Sequence, residues 1–211
     1  TMVGAGELFS GAYPEHNGVM GNWVAVPGGE PGGTELKSLD GIRAMATGYG
    51  GPALRGTSVF QALAGAGRTS AIIGKEGPAE LAWLAGATWA VSSGGAHEDD
   101  RARAIGAARG APALRSIAET AGAAPASGEH DDHARSEWLV RVATAVDARL
   151  GPDLLAVWLT DPDKTQHGHG LGTANQVAAL RAADAAVGAL LDDLRRRGEL
   201  DDMDVVVTSD H

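Results

Sequence analysis

Apolar residues recur along this chain with two different periods. Leu154-Leu155-Ala156-Val157-Trp158-Leu159 and Val205-Val206-Val207-Thr208 are short, continuous apolar runs, and Ser70-Ala71-Ile72-Ile73 is a third. Such runs predict strands buried on both faces, the usual state of strands in a parallel sheet. Between them the spacing becomes helical. Trp138, Leu139, Val142, Val146 and Leu150 predict a helix over 132–149, capped by Asp132 and stopped by Gly151-Pro152. Val177, Leu180, Val187, Leu190, Leu191 and Leu194 predict one apolar face on a helix over 174–197, stopped by Gly198. Thr57 or Ser58 is the expected cap of a helix through Val59-Phe60-Gln61-Ala62-Leu63, ended by Gly65 and Gly67. Residues 1–8 predict a short helix start, broken at Ser10-Gly11-Ala12-Tyr13-Pro14, and the Gly-, Pro- and Asn-rich stretch 15–33 reads as loop. Helix and strand alternate, so the expected fold class is α/β, with a mainly parallel sheet flanked by helices.

Two of the apolar runs end in candidate chemistry. The first leads into Asp161-Pro162-Asp163-Lys164-Thr165-Gln166-His167-Gly168-His169-Gly170, and the last into Ser209-Asp210-His211. Open α/β sheets place ligands at the carboxyl ends of their strands. Asp and His together suit zinc or a similar divalent ion, and two such sets suggest a two-metal site for phosphoryl or related transfer. Asp163 and His167 are four apart, so a helical turn points both side chains the same way. Asp161 and His169 are rival ligands in the same loop. The plain reading of each set is a polar loop that happens to carry histidines. Their joint position at one sheet edge favours the metal reading.

Thr1 sits at a helix N-terminus, where unpaired N–H groups and the positive dipole end stabilise an alkoxide. Locally, a simple N-cap accounts for it better. Asn22 can donate to a phosphoryl oxygen, or serve as a turn residue. Trp23, next to it, is a candidate for lining a substrate pocket. Trp83, Trp89, Trp138 and Trp158 read as core. Glu129-His130-Asp131-Asp132-His133 resembles a metal cluster, yet acidic residues ahead of a helix are favoured by the dipole alone. Gly74-Lys75-Glu76-Gly77 lacks Walker-loop spacing and reads as a turn, and Asp184 reads as structural.

Composition narrows the partners. The chain has 211 residues, with 17 basic against 27 acidic side chains and a net charge of −10. That argues against a nucleic-acid scaffold or an anionic-membrane binder, but not against a small phosphate ester held by metal ions. No cysteine is present, which removes disulfides, thiolate ligands and a cysteine nucleophile. No apolar run reaches the length of a membrane span. The sequence starts on Thr1 and stops directly after an expected strand, which predicts a piece of a longer catalytic domain. Residues 92–128, rich in Ala, Gly, Pro and charge, read as an insertion or cap segment within it.

The residues at both ends resemble the alkaline phosphatase superfamily, and within it the type I phosphodiesterase/nucleotide pyrophosphatase group. The resemblance rests on Asp161-Pro162-Asp163-Lys164-Thr165-Gln166-His167, on Val205 through His211, and on Thr1 followed by Ser10-Gly11-Ala12-Tyr13-Pro14-Glu15-His16-Asn17-Gly18-Val19-Met20-Gly21-Asn22. It covers roughly 1–26 and 150–211 and is thin between. It implies Thr1 as nucleophile and ligand of one metal, shared with Asp210 and His211. Asp163 and His167 would bind a second metal, and Asn22 would hold a non-bridging phosphoryl oxygen. The implied cofactors are two divalent ions, zinc by preference. The implied activity is hydrolysis of small phosphodiesters or nucleotide pyrophosphates through a phospho-threonine intermediate, and the group leans toward exported proteins.

There are departures from the pattern. Met2-Val3-Gly4-Ala5 stands where the group has Phe-Pro-Asn-His, and Asn17 replaces a His before Gly18. Gln166 stands where Gly is common, and His169 where an aromatic is common. An Asp ahead of the nucleophile and a later His are also part of the group's ligand set and lie outside this sequence, so the chain alone is expected to be inactive. The same scaffold serves phosphomonoesters, phosphonates and, less readily, sulfate esters. A non-catalytic metal-binding relic is the alternative from another class. An N-terminal threonine hydrolase would leave both Asp/His sets unexplained.

Overall fold

The structure, a computed structural model, describes residues 1–29, 31–93, 114, 116, 117 and 120–211. Its centre is a three-stranded parallel sheet in the order β4-β3-β5, formed by β3 (Ser70–Gly74), β4 (Trp89–Ser92) and β5 (Leu154–Trp158). Ile72 faces Ala90 on one side and Ala156 on the other, and Ile73 faces Val91 and Val157. Every residue of β3 is buried, as its unbroken apolar run predicts.

Alternation along the strands separates two cores. Ile72, Ala156 and Trp158 face a core containing Met2, Ala5, Phe9, Phe60 and Leu81. Ala71, Ile73, Leu155 and Val157 face a second core with Trp138, Leu139, Val142 and Val146. The first core holds the helix α1 (Met2–Ser10). Its Phe9 ring meets Trp158 edge-on at 5.8 Å and Phe60 at 5.0 Å, which fixes α1 beside the end of β5.

The long periodic segments fold as the spacing predicts. A helix over His133–Leu150 follows Asp132, and another over Ala174–Arg197 ends at Gly198 in the left-handed conformation. Helix Val59–Gly65 starts at Ser58 with a reciprocal capping box to Gln61. Asp132 stands at a cap position but spends its carboxylate elsewhere, accepting from Ser127 Oγ and Gly128 N. Helices Leu39–Gly48 and Pro78–Leu84, and strand β4, go beyond what the apolar pattern indicates.

Three expectations need correction. The apolar run at 205–207 is not a strand. It forms no ladder, and Val206 is 83% exposed, because no described strand lies beside it to complete the hydrogen bonding. The helix Ala174–Arg197 buries Ala179, Ala186 and Leu194, whereas Val177 and Leu180 are exposed. Small alanines let it approach its neighbour closely, which rotates the larger side chains outward. The loop 15–33 contains structure: a turn of helix, Pro14–Asn17, and a strand, Trp23–Val24 (β1), paired antiparallel with Thr34–Glu35 (β2). The expected insertion at 92–128 lies largely outside the described residues. Leu114 and Ile117, at its described end, are fully buried in the second core.

One buried acid gives a pH signature. Glu80, on helix Pro78–Leu84, is 6% exposed and accepts from Gly77 N at 2.5 Å. Burial pushes its carboxyl up from 4.5 to about 7, outweighing the hydrogen bonds from Ser92 and Gly77 that pull it down. Below pH 4.5 the folded and unfolded chains are both protonated there. Between 4.5 and 7 only the folded chain keeps the proton, so stability falls as pH rises through that window. The full loss is roughly 3 kcal/mol. Glu80→Gln keeps an acceptor for Gly77 without the charge. It is expected to melt higher than the parent at pH 8 and equally at pH 4.5. Equal melting at both pH values would refute the assignment.

Candidate active site

The carboxyl ends of β3 and β5 meet at one polar edge. Lys75 leaves β3, and its N–H donates to Trp158 O at 2.9 Å, so the chain after β3 is tied to the last residue of β5. Past β5, Asp161 turns inward. Its Oδ1 accepts from Thr165 N at 3.1 Å and Thr165 Oγ1 at 2.9 Å, and its Oδ2 accepts from Asp132 N at 2.7 Å. Asp161 is 3% exposed and fully occupied, which makes it a structural brace rather than a ligand. It fixes the start of the helix Asp163–His169.

Asp163 opens that helix and His167 lies one turn on, so both project to one side. Asp163 Oδ2 accepts from Lys75 Nζ at 2.8 Å, while its Oδ1 lies 3.3 Å from His167 Nε2. His211 Nε2 is also 3.3 Å from Asp163 Oδ1 and 3.9 Å from Asp210 Oδ2. Both expected Asp/His sets therefore come together. His169 diverges: its ring packs edge-on against His130, with centroids 5.4 Å apart.

Asp210 reaches the start of α1. Its Oδ2 lies 3.7 Å from the Thr1 backbone nitrogen. That oxygen is buried and has no hydrogen-bond partner. Thr1 is at the N-cap position, but its side chain makes no capping hydrogen bond. Asn22 takes over part of the capping, since its Oδ1 accepts from Met2 N at 2.9 Å. With the amide oxygen held there, its NH2 remains available to donate. Asn17, which departs from the family's His, is fully buried and structural. It donates to Ala12 O at 2.7 Å and accepts from Val19 N at 2.8 Å, clamping the turn ahead of Gly18.

The edge is electrostatically strained toward cations. Burial alone would raise the Asp163 carboxyl, but the Lys75 ammonium, helped by His167 and His211, outweighs it and holds the group below the usual carboxylate range. The orphaned Asp210 oxygen and the carboxylate–imidazole donor set fit a divalent cation in chemistry. The side chains touch one another rather than a common point, and among the described residues no three of them converge as ligands of one ion. Lys75 is the member that sequence reasoning passed over as a turn residue. Gly4 is another: a Cβ there would stand 2.7 Å from both Cβ and O of Asp210. Trp23 lines a separate cup of about 360 Å³, described below.

An α/β domain with paired Asp/His sets at the carboxyl edge of a parallel sheet belongs to the alkaline phosphatase class of hydrolases. More narrowly, the chain belongs to the type I phosphodiesterase/nucleotide pyrophosphatase family, whose family model matches residues 1–211. Among solved structures it is similar to phosphonoacetate hydrolase from Sinorhizobium meliloti 1021 in complex with phosphonoformate, at 20% identity and a TM-score of 0.59. That match covers 92% of this chain and 42% of the solved one. The same hydrolase in complex with phosphonoacetate matches at 20% identity and a TM-score of 0.57, over 89% of this chain and 41% of that one. This chain thus spans less than half the length of the solved relatives, and the likeness concerns the fold. No curated protein matches it. No helix among the described residues is long and apolar enough to cross a membrane.

The Lys75–Asp163 contact generates a direct test. Lys75→Met removes the charge that outweighs burial, so the Asp163 carboxyl is expected to titrate higher in the metal-free protein. Carboxyl-carbon NMR reads this. An unmoved titration would show that the ammonium does not control the group.

Proposed function

We propose that the protein of which this chain forms part hydrolyses phosphate esters, with small diesters or nucleotide pyrophosphates as the favoured class and Thr1 as nucleophile. The observation that carries the reading is the meeting of Thr1, Asn22, Asp163, His167, Asp210 and His211 at one sheet edge, linked pair by pair at hydrogen-bonding and ion-pair distances.

The Thr1 hydroxyl is not consumed by capping, so it is free to attack phosphorus. The Thr1 Oγ1–P bond forms as the bond to the leaving oxygen breaks, and water then cleaves the phospho-threonine. The Asn22 amide donates to a non-bridging oxygen as charge builds there. Thr1, Asp210 and His211 would hold one divalent ion, and Asp163 and His167 another, with zinc the best match to these donors. When bound, such ions lower the hydroxyl pKa and offset phosphoryl charge. Asp210 and Asp163 concentrate negative charge that keeps the imidazoles and the cations in place.

A second reading draws on Lys75. An ammonium beside the candidate phosphoryl site suits a substrate carrying an extra anionic group, such as a carboxylated phosphonate, the ligand type in the solved relatives.

The whole protein, loaded with zinc, separates these readings. Hydrolysis of a nitrophenyl nucleoside diester faster than nitrophenyl phosphate supports the diester reading. Phosphate release from phosphonoacetate alone would replace it with the second. Thr1→Ala is expected to lower kcat at least a thousandfold, with partial recovery in Thr1→Ser, and Asn22→Ala to lower it by about 10²–10³. Gly4→Ala pushes against the Asp210 backbone and is expected to weaken zinc binding about tenfold, read by competition with a chelating dye. Unchanged activity in Thr1→Ala would overturn the nucleophile.

A further inference from the structure

Directly after Asn22 the chain builds a cup that the phosphoryl chemistry does not use. Trp23 and Tyr49 form its aromatic walls, Met20 and Pro14 its apolar remainder, and Arg55 and Glu15 its charged rim, around about 360 Å³. Trp23 is 59% exposed although it lies in a strand, paired opposite Glu35. The Tyr49 hydroxyl donates to Ala25 O, which locks the ring in place and leaves only its face to offer a ligand. Arg55 is anchored by its backbone N–H to Asn17 O at 2.9 Å. Its stem lies against Gly18, where a Cβ would stand 3.2 Å from Cδ and Nε. Among the described residues its guanidinium has no carboxylate partner, although acidic side chains outnumber basic ones in the chain.

These features belong together chemically. Exposed, fixed aromatic faces offer stacking at little entropic cost. An unpaired guanidinium in the same cup supplies directed donors to an acceptor edge or a negative charge. One peptide link, about 3.8 Å between Cα atoms, separates Trp23 from the residue read here as holding the phosphoryl oxygen. We infer that the Trp23–Tyr49–Arg55 cup is the specificity pocket for the organic group of the ester, and that it selects a planar aromatic ring with an acceptor edge. The inference rests on the phosphohydrolase reading of the neighbouring edge. A nucleobase and a simple aryl group share this chemistry up to the acceptor edge.

Calorimetry on the whole, zinc-loaded protein carrying Thr1→Ala, which does not turn over, tests this through binding. The ligands are methyl phosphate, phenyl phosphate and guanosine 5′-monophosphate. Both ring-bearing ligands are expected to bind about tenfold more tightly than methyl phosphate, the scale of one aromatic stacking contact. Trp23→Ala should erase that advantage and leave methyl phosphate unchanged. Trp23 is largely exposed, so its truncation leaves the core intact. Arg55→Gln should weaken the nucleotide severalfold and spare phenyl phosphate if the natural group is a nucleobase; an equal effect on neither ligand assigns the pocket to a plain aryl group without the acceptor edge and overturns the role of Arg55. Equal affinity for all three ligands in the parent, or an equal loss for all three in Trp23→Ala, overturns the pocket. Ring-dependent binding that persists when methyl phosphate does not bind at all would keep the pocket and sink the phosphohydrolase reading instead.

Discussion

The Asp161 carboxylate is the contact on which the polar edge depends. It is buried at the junction of β5, the helix Asp163–His169 and the helix His133–Leu150, and it holds three donors from the two helices. A buried carboxylate is costly unless its lone pairs are filled. Here the filling groups include the backbone N–H of Asp132, just before one helix, and both the N–H and hydroxyl of Thr165, inside the other. Satisfying Asp161 therefore fixes where the second helix begins and how it leaves the sheet. Asp163 follows two residues later, already turned toward Lys75 and the end of β3. The carboxylate that looks most like a rival ligand in the sequence is the one that aims the true candidates.

The second dependence is electrostatic. Asp163 and Asp210 approach the same small volume in a chain of net charge −10. Like charges so close need counter-charge. Lys75, His167 and His211 crowd onto Asp163, while one oxygen of Asp210 is left with nothing. An arrangement with too few cations on one carboxylate and several on the other is the kind that a divalent ion would redistribute. It also explains why the side chains contact each other rather than converge on a point.

Much of this was legible in the sequence, for local reasons. Strands β3 and β5 and the helices His133–Leu150 and Ala174–Arg197 carry their period within themselves. Asp163 and His167 are legible because a helical turn converts their spacing into a shared direction. What escaped is set by distant neighbours. Lys75 acquires its role from a residue 88 positions away. Strand β4 is four residues long, too short to show a period, and is defined by its pairing with β3. Val205, Val206 and Val207 read as a strand because an apolar run signals burial, yet a ladder also needs a neighbour, which a local pattern does not supply. Tyr49 and Arg55 join Trp23 in one cup only after the β1–β2 hairpin folds back.

The exposed segment at 205–211 makes the last point about how the edge is assembled. Its valines bury little surface, so the hydrophobic effect contributes little to holding it in place. What seats Asp210 is close backbone approach at Gly4 and attraction to the start of α1, and what seats His211 is Asp163. A ligand pair carried this way is positioned by the very charges it serves. The departure at Gly4 from the family's Asn then has a physical reason: any side chain there would occupy the space through which the Asp210 backbone approaches. Sequence divergence beside the nucleophile thus preserves the geometry of the edge rather than dismantling it.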